Sequence, residues 1–168
     1  DIVAWIEIPD TNINYPILKD VYNLYYLKHD YNKQYSSSGS IFTSNINPFI
    51  ENETIIYGHN MKNNTMFSEL GKYLKKDFLD SHNLIKIYTP NGNYEGTIFS
   101  VYSTSVNDEN KNIKNLNFNE RIQYYEKSSK QSINKVKNIN KIIKLSTCSY
   151  LNTRTSPTDQ RYYIIASL

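Results

Sequence analysis

Apolar and polar positions change over in short strides along this chain, and most of the strides have the period of a strand. Residues 4–8 alternate before Pro9 and Asp10, and residues 13–17 form a second extended piece that carries Pro16. A proline has no N–H to give to a ladder, so this pair reads as edge strands. Residues 22–27 are rich in aromatic side chains and fit no single period. Ser36-Ser37-Ser38-Gly39 is a loop, after which residues 40–43 read as a strand. The run Thr54-Ile55-Ile56-Tyr57 reads as a buried strand that stops at Gly58, with His59 at its exit. Residues 84–88 and 94–102 flank Pro90-Asn91-Gly92-Asn93, where Asn-Gly favours the positive backbone angles of a tight hairpin turn. Residues 141–147 and 161–167 are the last two strands, and the loop between them holds Thr153, Ser156 and Pro157.

Two stretches change to helical spacing. Met66, Phe67, Leu70, Tyr73, Leu74 and Phe78 predict an amphipathic helix over residues 65–79, with Asn64 or Thr65 as its N-cap. Ile122, Tyr125, Ile133 and Val136 predict a second helix over residues 119–137, after a polar, loop-like stretch at 107–117. About six to eight short strands with tight turns and two inserted helices argue for a mainly β protein. The architecture expected is a closed or nearly closed β-barrel rather than alternating β-α units.

With 168 residues the chain is expected to form one domain spanning residues 1–168, a size that buries roughly 70% of the unfolded surface without a disulfide or metal. Asp1 leads almost at once into a strand pattern, so an N-terminal leader or membrane anchor is expected to lie outside this sequence. A net charge of +3, scattered along the chain, gives no argument for nucleic acid. The 16 tyrosines suit strand positions. They also leave open a peptide- or glycan-binding surface.

Chemistry enters with Cys148, the single cysteine, at the end of the strand Lys144-Leu145-Ser146-Thr147. It has no disulfide partner in the chain, so it is core filler, an unpaired liability or a nucleophile. A nucleophilic thiol needs a group that moves protons, usually histidine. His29 and His82 lie in polar turns, whereas His59 follows a buried strand, where the backbone can hold an imidazole rigidly at a barrel rim. Acyl transfer also needs positive charge where an oxyanion develops. Arg161 opens the final strand and reaches such a site if the last two strands run antiparallel; Arg154, in the loop, is the competitor. Paired metal-ligand spacings and clustered glycines are absent, so no metal and no cofactor are expected.

Tyr57-Gly58-His59-Asn60-Met61, then Met66-Phe67-Ser68-Glu69-Leu70, Leu145-Ser146-Thr147-Cys148 and the later Arg161 together resemble the sortase family, class B. Trp5-Ile6-Glu7-Ile8 through Tyr15-Pro16, Gly39-Ser40-Ile41-Phe42 and a long helix before the cysteine strand extend the resemblance over nearly the whole chain. It implies a closed sortase-type β-barrel of about seven to eight strands with inserted and peripheral helices, and a cysteine transpeptidase with no cofactor. By motif, Cys148 is the nucleophile, His59 the general acid and base, and Arg161 the stabiliser of substrate and oxyanion. Ser146 and Thr147 match the family's motif beside the nucleophile and, with Ser149 just after it, are expected to contact substrate.

The implied reaction cleaves a C-terminal sorting signal of the Asn-Pro-x-Thr kind after Thr, forms a thioester and hands the acyl group to an amine. The implied partners are secreted proteins bearing that signal, a peptidoglycan precursor or pilin amine, and the membrane, through an N-terminal anchor at the extracellular face of a Gram-positive cell. Ser149-Tyr150 departs from the acidic residue common after the class B cysteine, which bears on substrate preference. A cysteine peptidase that only hydrolyses, and a noncatalytic Tyr-rich barrel with Cys148 in its core, are the competing readings.

Overall fold

A computed structural model describes residues 1–21, 24–133, 135–151 and 158–168. Among them, eight strands follow the alternating segments: β1 (Ile2–Glu7), β2 (Asn14–Lys19), β3 (Ile41–Thr43), β4 (Glu53–Tyr57), β5 (Leu84–Thr89), β6 (Gly92–Ser105), β7 (Ile142–Cys148) and β8 (Gln160–Ser167). They close into a barrel in the order β1-β2-β3-β4-β7-β8-β6-β5. β2 with β3 and β4 with β7 are parallel pairs; the other neighbours are antiparallel.

Closure corrects the expectation of edge strands at the start of the chain. β1 is paired on both sides, by β2 and β5, and β2 by β1 and β3. Pro16 is tolerated because β3 pairs with β2 only from Ile17 onward, so the missing N–H falls where β3 makes no ladder contact.

Period-two alternation sends one side of each strand inward. Ile6, Ile17, Ile41, Ile56, Ile87, Ile98, Val101, Leu145 and Ile164 meet inside the barrel as one core. Each such side chain contributes about 1.5–3 kcal/mol by leaving water. On β6 the register slips between Ile98 and Ser100, and this bulge lets both Ile98 and Val101 face inward although they are three residues apart.

The helical segments differ from their expected bounds. Instead of one helix over 65–79, a 3-10 helix covers Ser68–Leu74 and a short α-helix, α1, covers Lys76–Ser81. Asn64 and Met66 have positive φ, so no helix starts there, and the extended Lys75 separates the two pieces. The apolar stripe still packs on the barrel: Phe67, Leu70 and Tyr73 join its core, and Met66, Leu74 and Phe78 pack against it.

The polar stretch expected to be a loop contains α2 (Val106–Ile113), capped by Ser105, whose side chain accepts from the Asp108 N–H. The second expected helix is shorter than predicted: α3 runs over Phe118–Ser128, opened by a capping box between Asn117 and Glu120. Beyond it the chain is taken over by tertiary bonds, the Lys130 N–H to the Val101 carbonyl at 2.7 Å and the Gln131 side chain to the Leu74 carbonyl. The β5–β6 hairpin forms as expected, but its two loop residues are Pro90 and Asn91, and Gly92 opens β6 with φ 144.

Candidate active site

Strand register brings the reactive residues together. β4 and β7 run parallel with Tyr57 opposite Ser146, and the Gly58 N–H continues the ladder to the Ser146 carbonyl at 3.2 Å. The paired register ends there; two residues on from Tyr57 and from Ser146 come His59 and Cys148, which line the same cavity and are tied by the Asn60 side chain bonded to the Cys148 carbonyl. β7 and β8 are antiparallel with Cys148 directly opposite Arg161. Ile143 and Leu145 point into the barrel, so Lys144, Ser146 and Cys148 point out, together with their row partners Tyr57, Arg161 and Tyr163. Neighbouring strands are about 4.8 Å apart. An imidazole, a thiol and a guanidinium thus form one row on the outer face of the barrel.

That face is concave. A cavity of about 580 Å³ has His59, Cys148 and Arg161 among its lining residues, along with Tyr57, Ser146 and Tyr163. Its walls are Leu24 and Leu27 from a 3-10 turn (Tyr25–Leu27) and its flank, and Val106, Asn110 and Ile113 from α2. Such a mostly apolar groove with a few convergent polar groups suits an extended peptide.

Each reactive group is held from behind. His59 Nε2 lies 2.7 Å from the Leu27 carbonyl, and the His59 carbonyl accepts from the Phe67 N–H at 2.9 Å. Asn60 Nδ2 donates to the Cys148 carbonyl at 2.8 Å, stapling the end of β4's extension to the end of β7. Arg161 Nη1 donates to the carbonyls of Thr158 and Gln160 at 2.6 and 2.9 Å, which anchors the guanidinium by one nitrogen. Cys148 is a half-buried free thiol.

Below this row the cavity floor carries a buried ion pair, Lys144–Glu109, with both side chains 2% exposed. Tyr102 and Tyr124 also donate to Glu109, at 2.7 and 3.0 Å, and the Lys144 ammonium sits 4.4 Å from the ring centre of Tyr163 and 4.8 Å from that of Tyr125. Burial pushes the Lys144 amine below its usual range, with Glu109 opposing that shift. Burial likewise pushes the Tyr102 and Tyr163 phenols up, so both stay neutral.

The residues expected at the site do not all reach it. Ser146 and Thr147 line the cavity, although Thr147 stands on the inward side of β7 and its Oγ1 has no partner among the described residues. Ser149 does not: it is fully buried, accepts from the Ser103 hydroxyl at 3.0 Å and the Leu151 N–H at 3.3 Å, and gives its own N–H to the Gln160 carbonyl. It is a strut under the end of β7, not a groove residue.

Arg154, the rival arginine, and the loop residues Thr153, Ser156 and Pro157 lie outside the described residues. His29 stacks on Tyr25, with ring centres 3.8 Å apart, and His82 bonds the Phe78 carbonyl at 2.9 Å; both serve local structure. The stapling bond of Asn60, the Leu27 carbonyl and the α2 wall have no local signature in the sequence. One signal was present: Lys144 stands in an apolar strand, and a charge buried there requires a partner.

A closed barrel bearing a thiol, an imidazole and a guanidinium in one row along a peptide-sized groove has the parts of a thiol acyl-transfer site. The match to the Sortase domain over residues 6–168 places this chain in a known group: it belongs to the sortase family. It is 42% identical to sortase B of Listeria monocytogenes over 154 residues, 88% of this chain and 63% of that protein, so it spans less than two thirds of that relative's length. The solved structure of Listeria monocytogenes sortase B superposes with a TM-score of 0.84 at 38% identity, covering 100% of this chain and 94% of the other. The Staphylococcus aureus sortase B–substrate complex gives 0.83 at 32% identity over 99% and 79%, and a sortase B complexed with triglycine gives 0.80 at 32% over 99% and 79%.

Proposed function

We propose that this chain is the catalytic domain of a sortase B-type cysteine transpeptidase, with Cys148 as nucleophile, His59 as general acid and base, and Arg161 as the oxyanion and substrate clamp. The observation that carries this reading is one groove lined by His59, Cys148 and Arg161, with Cys148 directly opposite Arg161 in the β7–β8 register. The reaction needs these three groups and a peptide bond laid across them.

The Cys148 thiolate attacks the carbonyl carbon of the substrate threonine. The negative charge that develops on the carbonyl oxygen is met by the Arg161 guanidinium. The tetrahedral species collapses when the C–N bond breaks and the His59 imidazolium gives its proton to the departing amine, leaving a thioester on Cys148. An incoming primary amine then attacks the thioester and loses its proton to His59, and the thiolate leaves as the new amide forms. The sortase B complexed with triglycine supports an amine acceptor here, and the substrate complex of the Staphylococcus aureus relative supports a peptide donor.

The donor we infer is a secreted protein with a C-terminal signal of the Asn-Pro-x-Thr kind, and the acceptor a peptidoglycan-precursor amine or a pilin lysine. Residues from α2 and the Tyr25–Leu27 turn wall the groove along which such an extended signal lies; Ser146 is on its floor beside the nucleophile, and Thr147 borders it from the inward side of β7. The site of action we infer is the extracellular face of a Gram-positive membrane. Among the described residues no helix is long and apolar enough to cross a membrane.

The test is a peptide of the Asn-Pro-x-Thr type incubated with the protein with and without triglycine or a peptidoglycan-stem amine. A ligated product that increases with amine concentration supports transfer. Free acid alone, unaffected by amine, overturns it in favour of a peptidase.

A further inference from the structure

The hydrogen-bonding partner of the His59 ring among the described residues is a main-chain carbonyl, that of Leu27, 2.7 Å from Nε2. A carbonyl oxygen can only accept, so Nε2 carries the proton in both charge states of the ring. The nitrogen left to take up and release a proton is Nδ1.

The carbonyl is itself fixed from several sides. Leu27 ends a 3-10 turn that begins after Leu24, which has φ 50. The Leu27 N–H returns to the Leu24 carbonyl at 3.0 Å, and the preceding Tyr26 N–H is bound by Asp20 at 3.0 Å. From the other side the lead into β3 clamps the turn: the Ser40 N–H donates to the Tyr26 carbonyl at 2.9 Å, and the Ser40 hydroxyl to the His29 carbonyl at 2.9 Å.

Gly39 stands at the closest approach. A Cβ there would lie 2.5 Å from the Leu27 oxygen and 2.6 Å from the Tyr26 oxygen, and the residue has φ +55. Both atoms it would strike are backbone, so a side chain at 39 must displace the carbonyl that holds His59, on top of the strain of a left-handed angle.

We propose that the Leu27 carbonyl, seated by Gly39, is the positioning group for His59, fixing the tautomer in which Nδ1 is the proton-transferring nitrogen. It takes the place that a buried carboxylate holds in a Ser-His-Asp triad, without that group's charge. The proposal rests on the reading of His59 as the acid and base. Gly39 and Leu27 touch no reacting atom and act through the ring.

The test is nitrogen NMR on the wild-type protein labelled with 15N at histidine, above the pH at which His59 loses its charge. The expected result is a proton on Nε2 and a bare Nδ1. A proton on Nδ1, or a ring that averages between the two forms, overturns the proposal. This measurement does not depend on any variant folding.

Gly39→Ala then asks whether the seat matters. The expected effect is a fall in kcat on the order of tenfold to a hundredfold with KM little changed, and mixed tautomers in the His59 signals. A folded Gly39→Ala protein with wild-type kcat and an unchanged His59 spectrum overturns the role given to Gly39. The functional reading fails separately: a His59→Ala protein that retains full transfer removes His59 as acid and base while leaving the tautomer result as measured.

Discussion

The inner and outer faces of β4, β7 and β8 are made by alternate residues of the same three strands, and they are stabilised in opposite ways. Inside, Ile56, Leu145 and Ile164 meet apolar neighbours and lose nothing by leaving water. Outside, Lys144 and Tyr163 are also buried, and there Lys144 is met by Glu109 on α2 and by the surrounding tyrosines. Further along the same outer face, the cover stops and Cys148 and Arg161 are half-buried in the groove. The inner face makes the barrel; the outer face, by being covered at one end and open at the other, makes a site.

The largest effects separate the open end from both buried regions. Cys148→Ala is expected to abolish cleavage of an Asn-Pro-x-Thr peptide, and Arg161→Ala to lower kcat/KM by roughly a hundredfold or more, the range seen for loss of an oxyanion donor. Both are expected to leave the unfolding free energy within about 0.5 kcal/mol of wild type, as half-buried groups away from the core. Urea unfolding alongside the peptide assay checks both halves of that expectation.

Lys144→Met should cost about 3–5 kcal/mol, because it leaves the Glu109 carboxylate buried without its cation. Changing both members, as Lys144→Met with Glu109→Gln, should restore most of that loss. Leu145→Ala, one residue away on the inner face, should cost about 2–5 kcal/mol with no second change able to repair it. Equal non-additivity at both positions in a double-mutant cycle would erase the distinction between the faces.

How far the sequence carried this contrast depends on the face. The strands and the inward residues were legible because apolar alternation is a local signal, and the strand-end positions of His59, Cys148 and Arg161 followed from it. What was not legible came from tertiary partners. α2 reads as a loop because Val106-Asn107-Asp108-Glu109-Asn110-Lys111-Asn112-Ile113 has three asparagines and an aspartate, all poor helix formers, and only two apolar residues a full two turns apart. Its buried anchor, Glu109, acquires meaning only when β7 brings Lys144 to it.

The same holds for Ser149, whose place beside Cys148 suggests the groove but whose hydroxyl is turned to Ser103. The helix expected over 65–79 is broken because positive φ at Met66 and the extended Lys75 serve the packing of Phe67 and Tyr73 inside the barrel.

Smaller effects refine the inner face. At the barrel end, burial raises the Glu69 carboxyl, but bonds from Lys72 and the Asn12 N–H outweigh it and hold the carboxyl below the usual range. A depressed folded value means the group stabilises the protein above the ordinary Glu value near pH 4.5 and loses that contribution as pH falls through the lower folded value. Glu69→Gln should therefore flatten the acid limb of a stability–pH profile measured by urea titration. Thr147→Val should change stability by less than about 1 kcal/mol in either direction, since its buried hydroxyl has no partner among the described residues.

If the open end of the outer face carries out acyl transfer, Cys148 must itself become acylated. Intact mass spectrometry of the protein incubated with an Asn-Pro-x-Thr peptide, with no amine present, reads that step. A mass increase equal to the peptide cut after threonine less one water is expected, located on Cys148, labile to hydroxylamine and absent from Cys148→Ala. Cleavage of the peptide by Cys148→Ala at the wild-type rate, with no adduct on either protein, would take the chemistry away from Cys148.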